Sequence, residues 1–193
     1  MFTKGPNWYV LAMATVCIGV MTMISGCTGN TGMKAATPVK PKLAQYEAEA
    51  KAIAEHLATF DTLDYVVFTG QQWTRLHESH SKDVIVHWPD GHQTEGIEKH
   101  IEDLKAMFVY APDTRIKIHT VKIGSGEWTA VIGIMEGTFT KPMPTPDGKT
   151  IAPTGKPYKI TMCTVGHWKD GVMNEEYLFW DNLTFMKQIG LAK

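Results

Sequence analysis

Thr114-Arg115-Ile116-Lys117-Ile118-His119-Thr120-Val121-Lys122-Ile123-Gly124-Ser125-Gly126-Glu127-Trp128 is the stretch in which the chain changes period. Ile116 and Ile118 alternate with polar residues, and so do Val121 and Ile123, which is the pattern of a strand with one face buried. The slip of phase between Ile118 and Val121 predicts a bulge. Gly124-Ser125-Gly126 predicts the turn into a second strand.

Downstream, Glu127 to Thr140 is a long strand with apolar residues of both parities, so both of its faces should be covered. Lys141 to Pro157 holds five Pro and two Gly and reads as a long connection or flap. Tyr158 to Trp168 is a strand, Lys169-Asp170-Gly171 a hairpin turn, Val172 to Trp180 the return strand, and Asp181 to Ile189 a short terminal helix.

Upstream the period is helical. Leu43, Tyr46, Ala50, Ile53, Leu57 and Phe60 form one face of a helix, with Glu47, Glu49, Lys51 and Glu55 opposite. Thr69 and Gln72 fit a capping box, and Phe68 and Trp73 fit a hydrophobic staple. A helix is therefore predicted from Gly70, with Trp73, Leu76, His77 and His80 on its inward face. Val84 to Trp88 reads as a strand closed by Pro89-Asp90-Gly91. A third helix follows Gly96, with Ile97, Ile101, Leu104 and Phe108 as its stripe, and Ala111-Pro112-Asp113 ends it. Helices first and long antiparallel strands after indicate an α+β fold. A curved sheet wrapped against helices makes a cone with a pocket inside.

The N-terminus reads as an address. Lys4 is the sole charged residue before Lys34, and Tyr9 to Ile24 is apolar apart from Thr15, Gly19 and Thr22. Ile24-Ser25-Gly26-Cys27 resembles the bacterial lipobox. Residues 1–26 are expected to be a lipoprotein signal peptide, 27–42 a lipidated Cys27 with a flexible linker, and 43–193 the folded domain. The expected location is a bacterial outer membrane, facing the periplasm, with the lipid on Cys27 as the anchor. An uncleaved anchor over Tyr9 to Gly26 is the alternative.

Composition narrows the function. The chain has 193 residues, 44% hydrophobic and 20% charged, with a net charge of −1. That excludes a disordered chain and gives no basic excess for nucleic acid. With Cys17 in the signal and Cys27 lipidated, Cys163 stands alone and reads as a small buried hydrophobe.

Several strings taken in order resemble the SnoaL-like polyketide cyclase or ester cyclase family of the nuclear-transport-factor-2-like (cystatin-like) superfamily. They are Asp83-Val84-Ile85-Val86-His87, Gly96-Ile97-Glu98, Tyr110-Ala111-Pro112-Asp113, Gly137-Thr138-Phe139, Pro153-Thr154-Gly155-Lys156, and Asp181 followed by Gln188-Ile189-Gly190. The resemblance spans Asp64 to Leu191. It implies an α+β cone, pairing into a homodimer through the sheet face, and ring closure by intramolecular aldol condensation without metal or organic cofactor. It further implies an acid/base Asp on the last strand and a helping His on the strand before. Registered on Asp170-Gly171 and Gln188-Ile189-Gly190, those two positions fall on Leu178 and Thr164, so the usual family mechanism does not carry over. Asp181 matches a second acidic position of the family. His167 lies beside the hairpin turn and Asp181 at its far end, so these two should not share a substrate atom.

A cyclase or isomerase of another design needs a base near a carbon-bound proton and a donor near the developing enolate oxygen. Glu176 and Asp181 are the candidate acids, and His80 and His87 the candidate donors. Trp73, Trp88, Leu178, Trp180 and Thr164 are expected around the ligand. Parity puts Glu176, Leu178 and Trp180 on one face of the last strand and Glu175, Tyr177, Phe179 and Asp181 on the other. Each candidate has a plainer role: Asp181 as a helix N-cap, Glu176 as a solvated or interface residue, the histidines as hydrogen-bonded core. Three functions follow: cofactor-free proton transfer on a small hydrophobic or carbonyl-bearing molecule, non-catalytic binding of such a molecule, or a metal held by His77, His80, His87 and His92.

Overall fold

The computed structural model describes residues 39–193, with side chains from residue 42. Helix α1 (Val39–Thr62) runs into a π-helical turn (Leu63–Phe68) and a 3₁₀ helix (Trp73–Glu78). Strands β1 (His80–His87) and β2 (Gln93–Glu95) follow, then α2 (Ile97–Tyr110), β3 (Arg115–Ser125) and β4 (Trp128–Thr138). The small strands β5 (Met143–Pro144) and β6 (Thr150–Ile151), the long hairpin β7 (Pro157–Lys169) and β8 (Val172–Trp180), and α3 (Asn182–Gln188) complete the chain. The main sheet has the order β2-β1-β8-β7-β4-β3. Neighbours are antiparallel except β1 and β8, which are parallel. This is the expected α+β cone, helices against one face of a curved sheet.

The switch of period at Thr114 marks the real boundary between α2 and β3. The bulge appears as register shifts between Ile116 and Ile118 and between His119 and Val121. Val131 and Met135 of β4 face the core, while Ile132 and Ile134 lie half-buried on the outer face. The proline-rich segment folds as a hairpin of its own through β5 and β6, and Met143 and Ile151 pack against the core. Cys163 is free and half-buried on the outer face of β7.

Three expectations need correction. Helix α1 begins at Val39, four residues inside the segment expected to be linker. Its apolar stripe meets the body only from Ile53 onward, so Leu43 and Tyr46 are exposed. No α-helix starts at Gly70. Instead of capping a helix, the Thr69 hydroxyl donates to the Asp64 carbonyl at 2.8 Å and accepts the Ile116 N–H at 2.9 Å. The side chain that should have opened a helix thus pins the π-helical turn to β3. Gln71 then takes a φ of 51°, and the chain enters a 3₁₀ turn. At three residues per turn, Trp73 and Leu76 share a face and His77 steps off it.

Candidate functional site

The cone encloses a cavity lined by Leu63, Phe68, Leu104, Met107, Ile116, Met135, Met162 and Leu178, with Trp88 and Trp180 also on its wall. Its non-atom volume, mouth included, is about 440 Å³, but only about 40 Å³ admits the centre of a water molecule. That is room for a few waters. Into this apolar space face five polar side chains: Asp64, His80, His100, Thr164 and Glu176.

Each comes from a different element. Asp64 lies in the π-helical turn, His80 opens β1, His100 sits in α2, Thr164 in β7 and Glu176 in β8. Ile97, His100, Leu104 and Phe108 are the buried face of α2, so His100 occupies a position of the apolar stripe itself. Glu176 and Leu178 are buried by the parity read from the sequence, with Glu175, Tyr177 and Phe179 on the other face.

The polar side chains form two groups that meet electrostatically at Asp64, where beyond burial Glu176 pushes the carboxyl up and His80 pulls it down. In one group His119, in β3, stands between two carboxylates, its Nδ1 2.8 Å from Asp61 Oδ1 and its Nε2 2.8 Å from Asp64 Oδ2. Burial would lower the His119 pKa, but the hydrogen bonds to Asp64 and Asp61 more than offset that and raise it. Burial also pushes the Asp64 carboxyl up, against the opposing pull of His119. Nearer the surface, burial pushes Asp61 up as well, but Lys122, which donates to its Oδ2 at 2.7 Å, and His119 bring it below its ordinary value. Lys122, Asp61, His119 and Asp64 therefore form a continuous hydrogen-bonded chain from the surface to the cavity wall.

The other group is His80, His100 and Glu176. Glu176 Oε2 lies 3.7 Å from His80 Nε2 and 3.3 Å from His100 Nε2. Burial pushes the Glu176 carboxyl up, but the two imidazoles overcome it and hold it below the usual range. Burial drives His100 down to about 4, despite the attraction of Glu176. His80 Nε2 and Glu176 Oε2 have no hydrogen-bond partner although both are buried.

The sequence-predicted residues separate accordingly. His80, Glu176, Thr164, Leu178, Trp88 and Trp180 meet in the cavity. His87 does not, because it shares strand phase with Ile85 and so faces outward, stacked on Tyr177 at 4.0 Å with Nε2 2.8 Å from Glu175 Oε1. Asp181 does not, because it is the N-cap of α3: its carboxylate accepts from Thr184 N at 3.0 Å and from Thr184 Oγ1 at 2.6 Å. Trp73 packs edge-on to Phe68 and Phe108, on a surface depression outside the cone. The four clustered histidines do not converge either. His77 is exposed and held by the Thr74 carbonyl, and His92 stacks on Trp88 beside Asp90. Cys27 lies outside the described residues. Sequence reasoning missed Asp64, His100 and His119. Only His100 had a legible signal, its place in the α2 stripe.

The chain matches the SnoaL-like polyketide cyclase family over residues 49–189. No curated protein matches it. Among solved structures it is similar to IdmH of Streptomyces antibioticus, a candidate polyketide cyclase, at 22% identity and TM-score 0.60, covering 70% of this chain and 98% of that one. A candidate SnoaL-like polyketide cyclase of Jannaschia sp. CCS1 gives 18% identity and TM-score 0.62 over 72% and 94% of the two chains. AclR of Streptomyces galilaeus, a candidate hydroxylase, gives 12% and 0.58 over 75% and 99%. At these identities the structures testify to the fold, which hosts different chemistries. With the family match spanning most of its length, the chain belongs to the SnoaL-like polyketide cyclase family.

Proposed function

We propose that this is an exported protein, anchored through lipid on Cys27 to the outer membrane and facing the periplasm. It takes a small, mainly apolar, carbonyl-bearing molecule into the cone and exchanges a proton on it. The observation that carries this reading is Asp64, buried on the wall of an apolar cavity with His119 and Asp61 behind it. A carboxyl raised by burial exchanges protons closer to neutral pH than a free one does. The chain through His119 to Asp61 gives that proton a route to the surface. The neighbouring group of His80, His100 and Glu176 takes the oxygen-bearing end of the molecule, with Trp88 and Trp180 on the same cavity wall. Asp64 thus takes the part expected of Asp181.

One observation supports a pair of such chains. Ile118, Val121 and Ile123 of β3, Trp128 of β4 and Phe179 of β8 are large apolar side chains exposed on the outer face of the sheet. Patches of that kind mark interfaces, and a second copy is the occupant that the homodimer reading requires.

The test is deuterium exchange at the carbon next to a carbonyl, followed by NMR over a panel of small ketones and diketones. Asp64→Asn should slow exchange about 100-fold or more while binding, read from Trp88 and Trp180 fluorescence, persists. Asp181→Asn should leave both unchanged. Exchange that survives in Asp64→Asn sinks the proton-transfer reading. Tight binding without any exchange would instead make the protein a non-catalytic carrier.

A further inference from the structure

The wall formed by His80, His100 and Glu176 leaves buried polar atoms without hydrogen-bond partners. The Ser79 hydroxyl lies 3.1 Å from the Leu76 carbonyl, to which it donates, and 2.9 Å from His80 Nδ1. Ser79 has one proton, and the Leu76 carbonyl takes it, so His80 Nδ1–H is the donor to Ser79 Oγ. In the neutral ring this leaves Nε2 with a free lone pair, the form that binds a metal. Nε2 points at Glu176 Oε2, another acceptor, 3.7 Å away, and both atoms are buried without a partner. Two unpartnered acceptors buried this close need a proton or a cation between them. His100 Nε2 approaches the same carboxylate oxygen to 3.3 Å.

We propose that His80, His100 and Glu176 bind a divalent transition-metal ion, zinc by preference, on the wall of the cone. The three side chains are buried, and their ligand atoms lie within 4.8 Å of one another. Ligands held at about 2.0–2.2 Å around a tetrahedral zinc ion lie about 3.3–3.6 Å apart, which brackets the shorter measured separation and nearly reaches the longer. Two imidazoles and one carboxylate form a donor set for zinc that leaves a coordination position open, as in catalytic sites. All three residues line the cavity, which has room for a few waters. One of the outer contacts such sites use is in place. Ser79 Oγ orients His80, and on α2 both His100 Nδ1 and Asp103 Oδ2, one turn further on, are buried and unpartnered.

This inference rests on the polar wall of the proposed ligand site but not on proton transfer by Asp64. The ion would hold and polarise the oxygen end of the ligand, and it would neutralise Glu176.

The experiment loads the full chain with Zn²⁺ or Co²⁺, removes free ion by gel filtration, and measures metal per chain. One ion per chain is expected, with the Co²⁺ form showing the visible absorption of a low-coordinate site. His80→Ala and Glu176→Gln should each weaken metal affinity about 100-fold or more, and Ser79→Ala, which keeps all three ligands and guards against loss of folding, about 10-fold. His77→Ala should leave it unchanged. Folded wild type that retains no metal, or metal retained equally by His80→Ala and Glu176→Gln, overturns the proposal. Carbonyl exchange by metal-free wild type that depends on Asp64 would likewise overturn a working role for the ion while leaving the proton-transfer reading intact. Bound metal without any carbonyl exchange upholds the metal site and removes the other reading.

Discussion

His119 shows how one side chain is set by its neighbours. In isolation a buried imidazole sheds its proton, yet here Asp61 and Asp64 grip both ring nitrogens and raise its pKa. Tyr65 adds to the grip by stacking on the ring at 4.5 Å and accepting the His119 backbone N–H at 2.8 Å. A group whose pKa is raised by folding contributes stability that is complete below its ordinary value and disappears as pH rises through the folded one. For His119 the ordinary value is 6.5. Asp61, held below its ordinary 3.8, works in the opposite sense and loses its contribution on the acid side. Urea unfolding of wild type should therefore show stability declining from about pH 6.5 upward, and His119→Gln should remove that decline. Identical pH profiles for the two proteins would show that the ion pair is not formed in solution.

At the scale of elements, the long strands align because their glycines let side chains cross the sheet. Gly137 in β4 is the clearest case. A Cβ there would lie 2.7 Å from the Tyr158 hydroxyl and 2.9 Å from the ring carbon that carries it. Tyr158 cannot swing aside cheaply, since its ring is buried and its hydroxyl is 2.6 Å from Thr114 Oγ1. That bond joins β7 to the start of β3. Gly137→Ala should destabilise the protein by about 1–3 kcal/mol without altering ligand binding in the cone. A urea midpoint equal to wild type would show that β4 and β7 separate more easily than this packing implies. The same scale explains the missed helix after Gly70. Thr69 and Gln72 have capping chemistry, but the Thr69 hydroxyl gains more by tying the π-helical turn to Ile116 in β3. Propensity for a local cap gave way to a tertiary bond, which no window of sequence contains.

For the molecule as a whole, the sheet has two faces with different uses. The inner face closes the core and the cavity. The outer face leaves Phe179 52% exposed and Ile123 59% exposed, beside Trp128 and Ile118. The reading that a second copy covers this face predicts a dimer for the wild-type body by native mass spectrometry. Phe179→Lys, which sets a charge in the patch while leaving the cavity face of β8 untouched, should convert it to a monomer. A monomeric wild type would remove the pairing.

The sequence by itself determined the period of each element, the long β7–β8 hairpin, the faces of β8 and the α+β class. Alternation and helical stripes are local consequences of which side chains shun water, and they survive in the chain as plain spacing. It also supplied the cavity membership of Glu176, Leu178 and Trp180, because parity along one strand is local too. Only the tertiary structure decided which polar groups meet. Asp64, His80, His100, His119 and Glu176 come from five separate elements, and their distances depend on strand order, register shifts and the seating of α2 on the sheet. Asp181 and His87 looked equally suited by residue type. One is spent on capping a helix and the other faces outward, because position relative to the folded sheet, not chemistry alone, determines what a side chain can touch.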